Sequence, residues 1–170
     1  SKKAPDNIFF RIESIDERFP SGDDGASWPT LLRQYAPIGM AGSYLALHKQ
    51  PNQDNVISET ILLREQFPVN TWIDIPHNFE PIYATIDLKP SILGRIKNLF
   101  YKASPLGIAV KLENGATKQF RLVPGVANNT FLLSPLIEDA AEFKELYNIS
   151  ESESLKKKRI TAISVWAEGS

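Results

Sequence analysis

Three aromatic residues stand out of phase with the apolar rows around them: Trp72, Tyr83 and Trp166. In a strand, successive side chains point to opposite faces, so a period of two separates one row from the other. In Thr71-Trp72-Ile73-Asp74-Ile75, the isoleucines share one face, and Trp72 and Asp74 take the other. In 82–88 the row Ile82, Ala84, Ile86, Leu88 is apolar, and Tyr83, Thr85 and Asp87 face away. In 160–167, Ile163 and Val165 lie on one row and Trp166 on the other. Brought onto one face, the three rings would form a platform for stacking sugar rings. Asp74, Asp87 and Thr85 would then hydrogen-bond hydroxyls. The competing reading is that a loop or helix covers this face and the rings are second-layer core, the commoner fate of large aromatics. Strand order decides between them.

A second feature is a local excess of positive charge. Lys89, Arg95, Lys97, Lys102, Lys111, Lys118 and Arg121 face a single acid, Glu113, in a chain whose formal net charge is -1. Residues 91–102 read as a helix after Pro90, with Ser91 as N-cap and Ile92, Leu93, Ile96, Leu99 and Phe100 as its apolar stripe. Its polar side carries only basic charge, the pattern of a helix resting on an anionic membrane surface. At roughly 1 kcal/mol per cation, three or four such residues would give only weak attachment. The same stripe would equally suit a helix closing one end of a β domain.

Other chemistries are poorly supplied. The 170-residue chain has no Cys and two His, His48 and His77, which excludes a disulfide scaffold, thiolate zinc, a cysteine nucleophile and a multi-histidine metal site. Gly-x-Ser-x-Gly, Walker, Gly-x-Gly-x-x-Gly and His-Glu-x-x-His patterns are all missing, so the sequence calls for no cofactor. Gly22-Asp23-Asp24-Gly25 lacks the spacing of a calcium loop and reads as a solvated turn. Glycoside-cleaving carboxylates could come from Asp74, Glu80 and Asp87, whose separation sequence does not give. The near-zero net charge opposes nucleic-acid binding.

The positioning elements are mostly strands. Short strands are expected at 8–12, 43–48, 56–67, 71–75, 82–88 and 160–167, one helical turn at 31–36, and short helices at about 91–102 and 138–147. Residues 150–154 read as a Ser/Glu turn. The firmest local feature is a hairpin over 106–123 turning at Glu113-Asn114-Gly115. A two-residue loop would put its two apolar rows on different faces. A three-residue loop with Gly115 left-handed puts Ile108, Val110 and Leu112 with Phe120 and Leu122. Without βαβ rhythm, the expected architecture is all-β: a single antiparallel, jelly-roll-like β-sandwich domain spanning 1–170.

Three stretches carry a resemblance: Ile96-Lys97-Asn98-Leu99-Phe100-Tyr101-Lys102-Ala103-Ser104-Pro105-Leu106, Phe120-Arg121-Leu122-Val123-Pro124-Gly125, and Phe131-Leu132-Leu133-Ser134-Pro135-Leu136. Over about residues 85–147 the chain resembles the C-terminal extracytoplasmic domain of bacterial multi-spanning, glycosyltransferase-like membrane proteins. These motifs are structural, and no active site carries over. The resemblance implies a domain of a larger membrane protein on the outer face of a bacterial membrane. The basic stretch would then meet lipid headgroups or the parent's membrane-embedded part. The combined expectation is a non-catalytic binding module. Trp72, Asp74, Tyr83, Asp87 and Trp166 would meet a glycan, and Lys89, Arg95, Lys97, Lys102, Lys118 and Arg121 an anionic surface. The alternative is a carbohydrate-active hydrolase or transferase accessory domain using carboxylates of the sheet face.

Overall fold

The computed structural model describes residues 4–51, 60–78, 80–89 and 105–167. The fold is mostly β, with antiparallel sheets and four short helices among the described residues. In chain order the elements are β1 (Asn7–Phe10), α1 (Trp28–Gln34), β2 (Tyr35–Ala41), β3 (Tyr44–Lys49), β4 (Trp72–Asp74), β5 (Ile82–Ala84), β6 (Leu106–Leu112), β7 (Thr117–Leu122), α2 (Pro124–Ala127), β8 (Phe131–Ser134), α3 (Ala140–Glu145), α4 (Glu153–Lys157) and β9 (Ile160–Ala167). Among the described residues the strands form three sheets, with orders β1-β3-β2, β4-β9-β6-β7 and β5-β8.

The hairpin is built as its apolar rows require. Ile108 pairs with Phe120 and Leu106 with Leu122, so Glu113, Asn114 and Gly115 form a three-residue loop. Gly115 sits at φ 85, a conformation a side chain would resist, and donates to Leu112 O at 2.9 Å. Asn114 Oδ1 accepts from Ala116 N at 2.9 Å and holds the turn. β6 then becomes the centre of its sheet, with β9 on its other side.

Two cores meet at β8. Phe131 and Leu133 enter the first, against Ile108, Val110 and Ile163 on the inner face of the four-stranded sheet. Leu132 enters the second, with Trp28, Leu45, Leu47 and Phe143 from α1, β3 and α3. All four β8 residues are buried. That is why Phe131-Leu132-Leu133 is a continuous apolar run without alternation. Phe143 anchors the second core by edge contacts to Trp28 at 5.1 Å and Tyr147 at 6.3 Å.

The helices are locally specified. Asp139 caps α3 by accepting from Glu142 N at 2.8 Å, while Glu142 Oε2 accepts from Glu138 N at 2.8 Å. Ser152 caps α4 by accepting from Leu155 N at 3.1 Å, with Glu153 in the first turn and Lys156 and Lys157 in the last.

Several expectations need correction. The helix expected over 138–147 is α3 followed by a 3-10 turn at Leu146–Asn148, and the turn expected at 150–154 runs into α4. The single turn at 31–36 is the end of α1, which begins at Trp28 with Pro29 in its first turn. β2 follows directly, its register shifting around Ile38 beside Pro37, which has no N–H to donate. The described part of the expected 56–67 strand, 60–67, forms no strand and is exposed throughout. Dense apolar residues there favour an extended chain but pair with no sheet edge among the described residues. The expected 91–102 helix lies outside the described residues. Among the described residues no helix is long and apolar enough to cross a membrane.

Candidate functional site: the outer face of the four-stranded sheet

Register brings two of the three expected aromatics together. Trp72 pairs with Ser164, Ser164 with Ala109 and Ala109 with Gln119, giving one row across β4, β9, β6 and β7. The next row is Asp74, Ala162, Lys111 and Thr117, and the row on the other side joins Trp166, Gly107 and Arg121. Because side chains alternate, all of these share the face opposite the first core.

Small residues floor this face and large ones stand around them. Gly107, Ala109, Ala162 and Ser164 are buried although they lie on the outer side. Gly107 is required by packing: a Cβ there would come within 2.2 Å of the Trp166 ring. The ring of Trp166 therefore lies against the β6 backbone, and its buried Nε1–H has no acceptor among the described residues. Trp72 is 41% exposed, and Lys111 Nζ sits 4.2 Å from the centre of its ring, a cation–π contact. Arg121 adds a second positive charge, only loosely held by Asp16 at 3.9 Å, and Asp74 supplies a carboxylate on the same face. The arrangement offers aromatic surface, two cationic donors and an acid around a shallow floor.

The other expected site residues go elsewhere. Tyr83 pairs with Leu132 and packs on the second core, where burial pushes its hydroxyl up despite the opposing charge of Arg33. Asp87 lies beyond β5, exposed and 3.7 Å from exposed Lys89. The separation follows from strand order: β5 pairs with β8 and not with the sheet that holds Trp72 and Trp166.

The basic stretch divides as well. Lys118 and Arg121 are an odd number of positions apart on β7 and take opposite faces. Lys118 Nζ is held by Glu138 at 2.6 and 2.7 Å, while Lys158 Nζ reaches the same carboxylate at 2.8 Å and also pairs with Glu142. Burial alone would push the Glu138 carboxyl up, but hydrogen bonds from Lys118 and Lys158 outweigh it and hold the group below the usual range. Burial opposes the charge of Lys158 too, and its two carboxylate partners raise it overall. This network ties β7 to the start of α3 and to the entry of β9. Glu138, kept ionised by its lysines, has no proton to donate at neutral pH. Arg95, Lys97 and Lys102 lie outside the described residues.

Gly107, Ala109, Ser164 and Gln119 were not singled out by sequence reasoning, and Lys111 was read only as part of the basic stretch. The available signal was the small-residue alternation Gly107-x-Ala109 and Ala162-x-Ser164, which marks a face where larger side chains must lie close to backbone.

A separate exposed surface runs from Ile61 to Val69. Ile61, Leu62, Leu63, Phe67 and Val69 are all exposed, Ile61 by 73%. The segment then joins the four-stranded sheet, where Asn70 N donates to Val165 O at 2.7 Å. Among the described residues no cluster of three or more His, Cys, Asp or Glu side chains is arranged to hold a metal ion. No protein-family model, curated protein or solved structure matches the chain.

Proposed function

We propose that the chain is a non-catalytic binding module that recognises a glycan on the outer face of its four-stranded sheet. The observation that carries this reading is the register that sets Trp72 and Trp166 around a floor of Gly107, Ala109 and Ser164. Aromatic rings offer C–H faces of a sugar a flat apolar partner, and Asp74, Lys111, Gln119 and Arg121 surround it with donors and acceptors. On this reading the domain is a jelly-roll-like sandwich, with β5 and β8 closing over the inner face and leaving the outer face for the ligand.

The test is a titration of bacterial envelope oligosaccharides followed by tryptophan fluorescence and calorimetry. Trp72→Ala and Trp166→Phe are each expected to weaken binding by about 1–2 kcal/mol, roughly 5–30-fold. Unchanged affinity in both variants sinks the reading. The enzymatic alternative, an accessory domain of a hydrolase or transferase, makes Asp74→Asn abolish turnover of the same oligosaccharides while leaving binding intact.

The exposed apolar segment 61–69 favours a second contact. Contiguous exposed apolar surface marks interaction sites, and here it adjoins the sheet edge at β4. We assign it to the membrane-embedded part of a parent protein or to the bilayer interface, with the module held on the extracytoplasmic side. Cosedimentation with phosphatidylglycerol/phosphatidylethanolamine vesicles should fall in an Ile61→Ser, Leu63→Ser, Phe67→Ser triple variant. Equal sedimentation of the triple variant and the parent chain removes the bilayer from this role.

A further inference from the structure

The three-stranded sheet also has two faces, and its outer one is apolar where solvent favours polar side chains. Leu45 and Leu47 point into the second core, so alternation sends Tyr44, Ala46 and His48 to the other side. Register completes one row of that side as Phe9, Ala46 and Gly39, across β1, β3 and β2. Phe9 is 70% exposed, and a side chain at Gly39 would meet nothing within 4 Å. A projecting ring thus stands beside an open slot floored by Ala46 and Gly39. Tyr44 is exposed one row along, and Ile38 is exposed at the β2 bulge.

Charge is nearly missing from this face. Neither β1 nor residues 35–47 contain Asp, Glu, Lys, Arg or His. Arg11 follows β1, but its guanidinium lies 5.5 Å from the centre of the Tyr44 ring, donates to the Tyr44 hydroxyl at 3.4 Å and pairs with Glu13. At the opposite end, His48 Nδ1 and Asn7 Oδ1 lie 2.9 Å apart. Aromatic residues around a charge-free centre, with arginine and polar groups at the rim, make up the composition of a protein–protein interface. The outer face of the four-stranded sheet, with Lys111, Arg121 and Asp74, has a different chemistry and suits a different partner.

We propose that this face binds a second copy of the chain about a two-fold axis, the Phe9 ring of each copy filling the slot over Gly39 and Ala46 of the other. A two-fold axis sets like groups against like, so a face carrying unpaired charge would repel its own copy, and this one carries none. Ring and slot lie side by side, so a single rotation makes both contacts at once. Three strands about 4.8 Å apart and roughly 20 Å long cover little area, so the dimer is weak, with a Kd on the order of 100 µM. The surface is separate from Trp72 and Trp166 and stands whether or not they bind a glycan.

The test is sedimentation equilibrium of the chain from about 10 µM to about 1 mM, a range that spans this constant. The parent chain should pass from monomer to dimer, its Kd changing less than about twofold between low and high salt because no ion pair joins the copies. Phe9→Ser removes the ring and Gly39→Val fills the slot, both at positions open to solvent. Each should weaken association at least about tenfold while keeping the circular dichroism of the parent chain. An equimolar mixture of the two variants restores one ring-in-slot contact and should associate more tightly than either alone. Trp72→Ala should leave association unchanged. A parent chain that stays monomeric across the range overturns the proposal. So does a dimer that survives both variants, or a mixture no tighter than its components. A monomer whose sedimentation with phosphatidylglycerol/phosphatidylethanolamine vesicles falls in Phe9→Ser overturns it too, and gives this face to the bilayer.

Discussion

The two faces of the four-stranded sheet are built from the same strands and differ in every property that matters for binding. The inner face carries branched aliphatics, Ile108, Val110, Leu112 and Ile163, closed off by Phe131 and Leu133. The outer face alternates with it residue by residue, yet is floored by Gly107, Ala109, Ala162 and Ser164 and bordered by Trp72, Trp166, Lys111 and Arg121. Large residues on one side fill volume. Small residues on the other let aromatic rings lie down against the backbone. A sheet that needed only a core would have little reason to keep a glycine at 107.

That contrast can be broken from either side. The largest effect is expected from Ile108→Ala, which empties a fully buried position and should cost about 2–5 kcal/mol in urea unfolding. A cost below 1 kcal/mol would mean that the first core is not closed at this strand. Next comes Gly107→Ala. The new methyl needs the space of the Trp166 ring, so a loss of about 1–3 kcal/mol is expected together with altered tryptophan emission. Normal stability with unchanged emission would show that Trp166 does not lie over β6.

A smaller effect concerns the network where the sheet meets α3. Glu138 has a lowered carboxyl pKa, so its stabilisation is present above about pH 4.5 and is lost as pH falls through the lower, folded value. Lys158 is raised, so its contribution holds below about pH 10.5 and is lost as pH climbs through the folded value. The Tyr147 hydroxyl, pushed up to about 12 by burial, adds to alkaline loss in the same direction. Thermal melts of Glu138→Gln should show a shallower acid dependence than the parent chain, and identical acid limbs would count against the network. The smallest effect is expected for Lys111→Ala, about 0.5–1 kcal/mol from the lost cation–π contact at a partly exposed site. Its sharper readout is Trp72 emission, which should change while Trp166 emission does not.

How much of this was legible depends on the range of the information. The hairpin was readable because its loop length and the parity of its two apolar rows constrain each other within 17 residues. The caps at Asp139 and Ser152 are just as local but were not read, and the short α4 escaped notice because five residues give almost no periodicity. The described part of the 56–67 stretch, 60–67, misled because apolar density reports a willingness to extend, whereas a strand also needs a neighbour. The candidate site was half legible. The out-of-phase positions of Trp72 and Trp166 were visible along the chain, but Tyr83, equally out of phase, pairs with the fully buried β8 and packs half-buried on the second core.

The amino-acid sequence alone determined which side chains alternate and where the 113–115 turn closes, because these depend on contacts a few positions apart. Tertiary structure alone decided that β9 lies between β4 and β6, that Tyr83 joins a core while Trp72 stays at the surface, and that Lys118 shares the Glu138 carboxylate with Lys158. Strand neighbours are chosen by long-range burial of complementary faces, a sum over distant residues that no local pattern encodes.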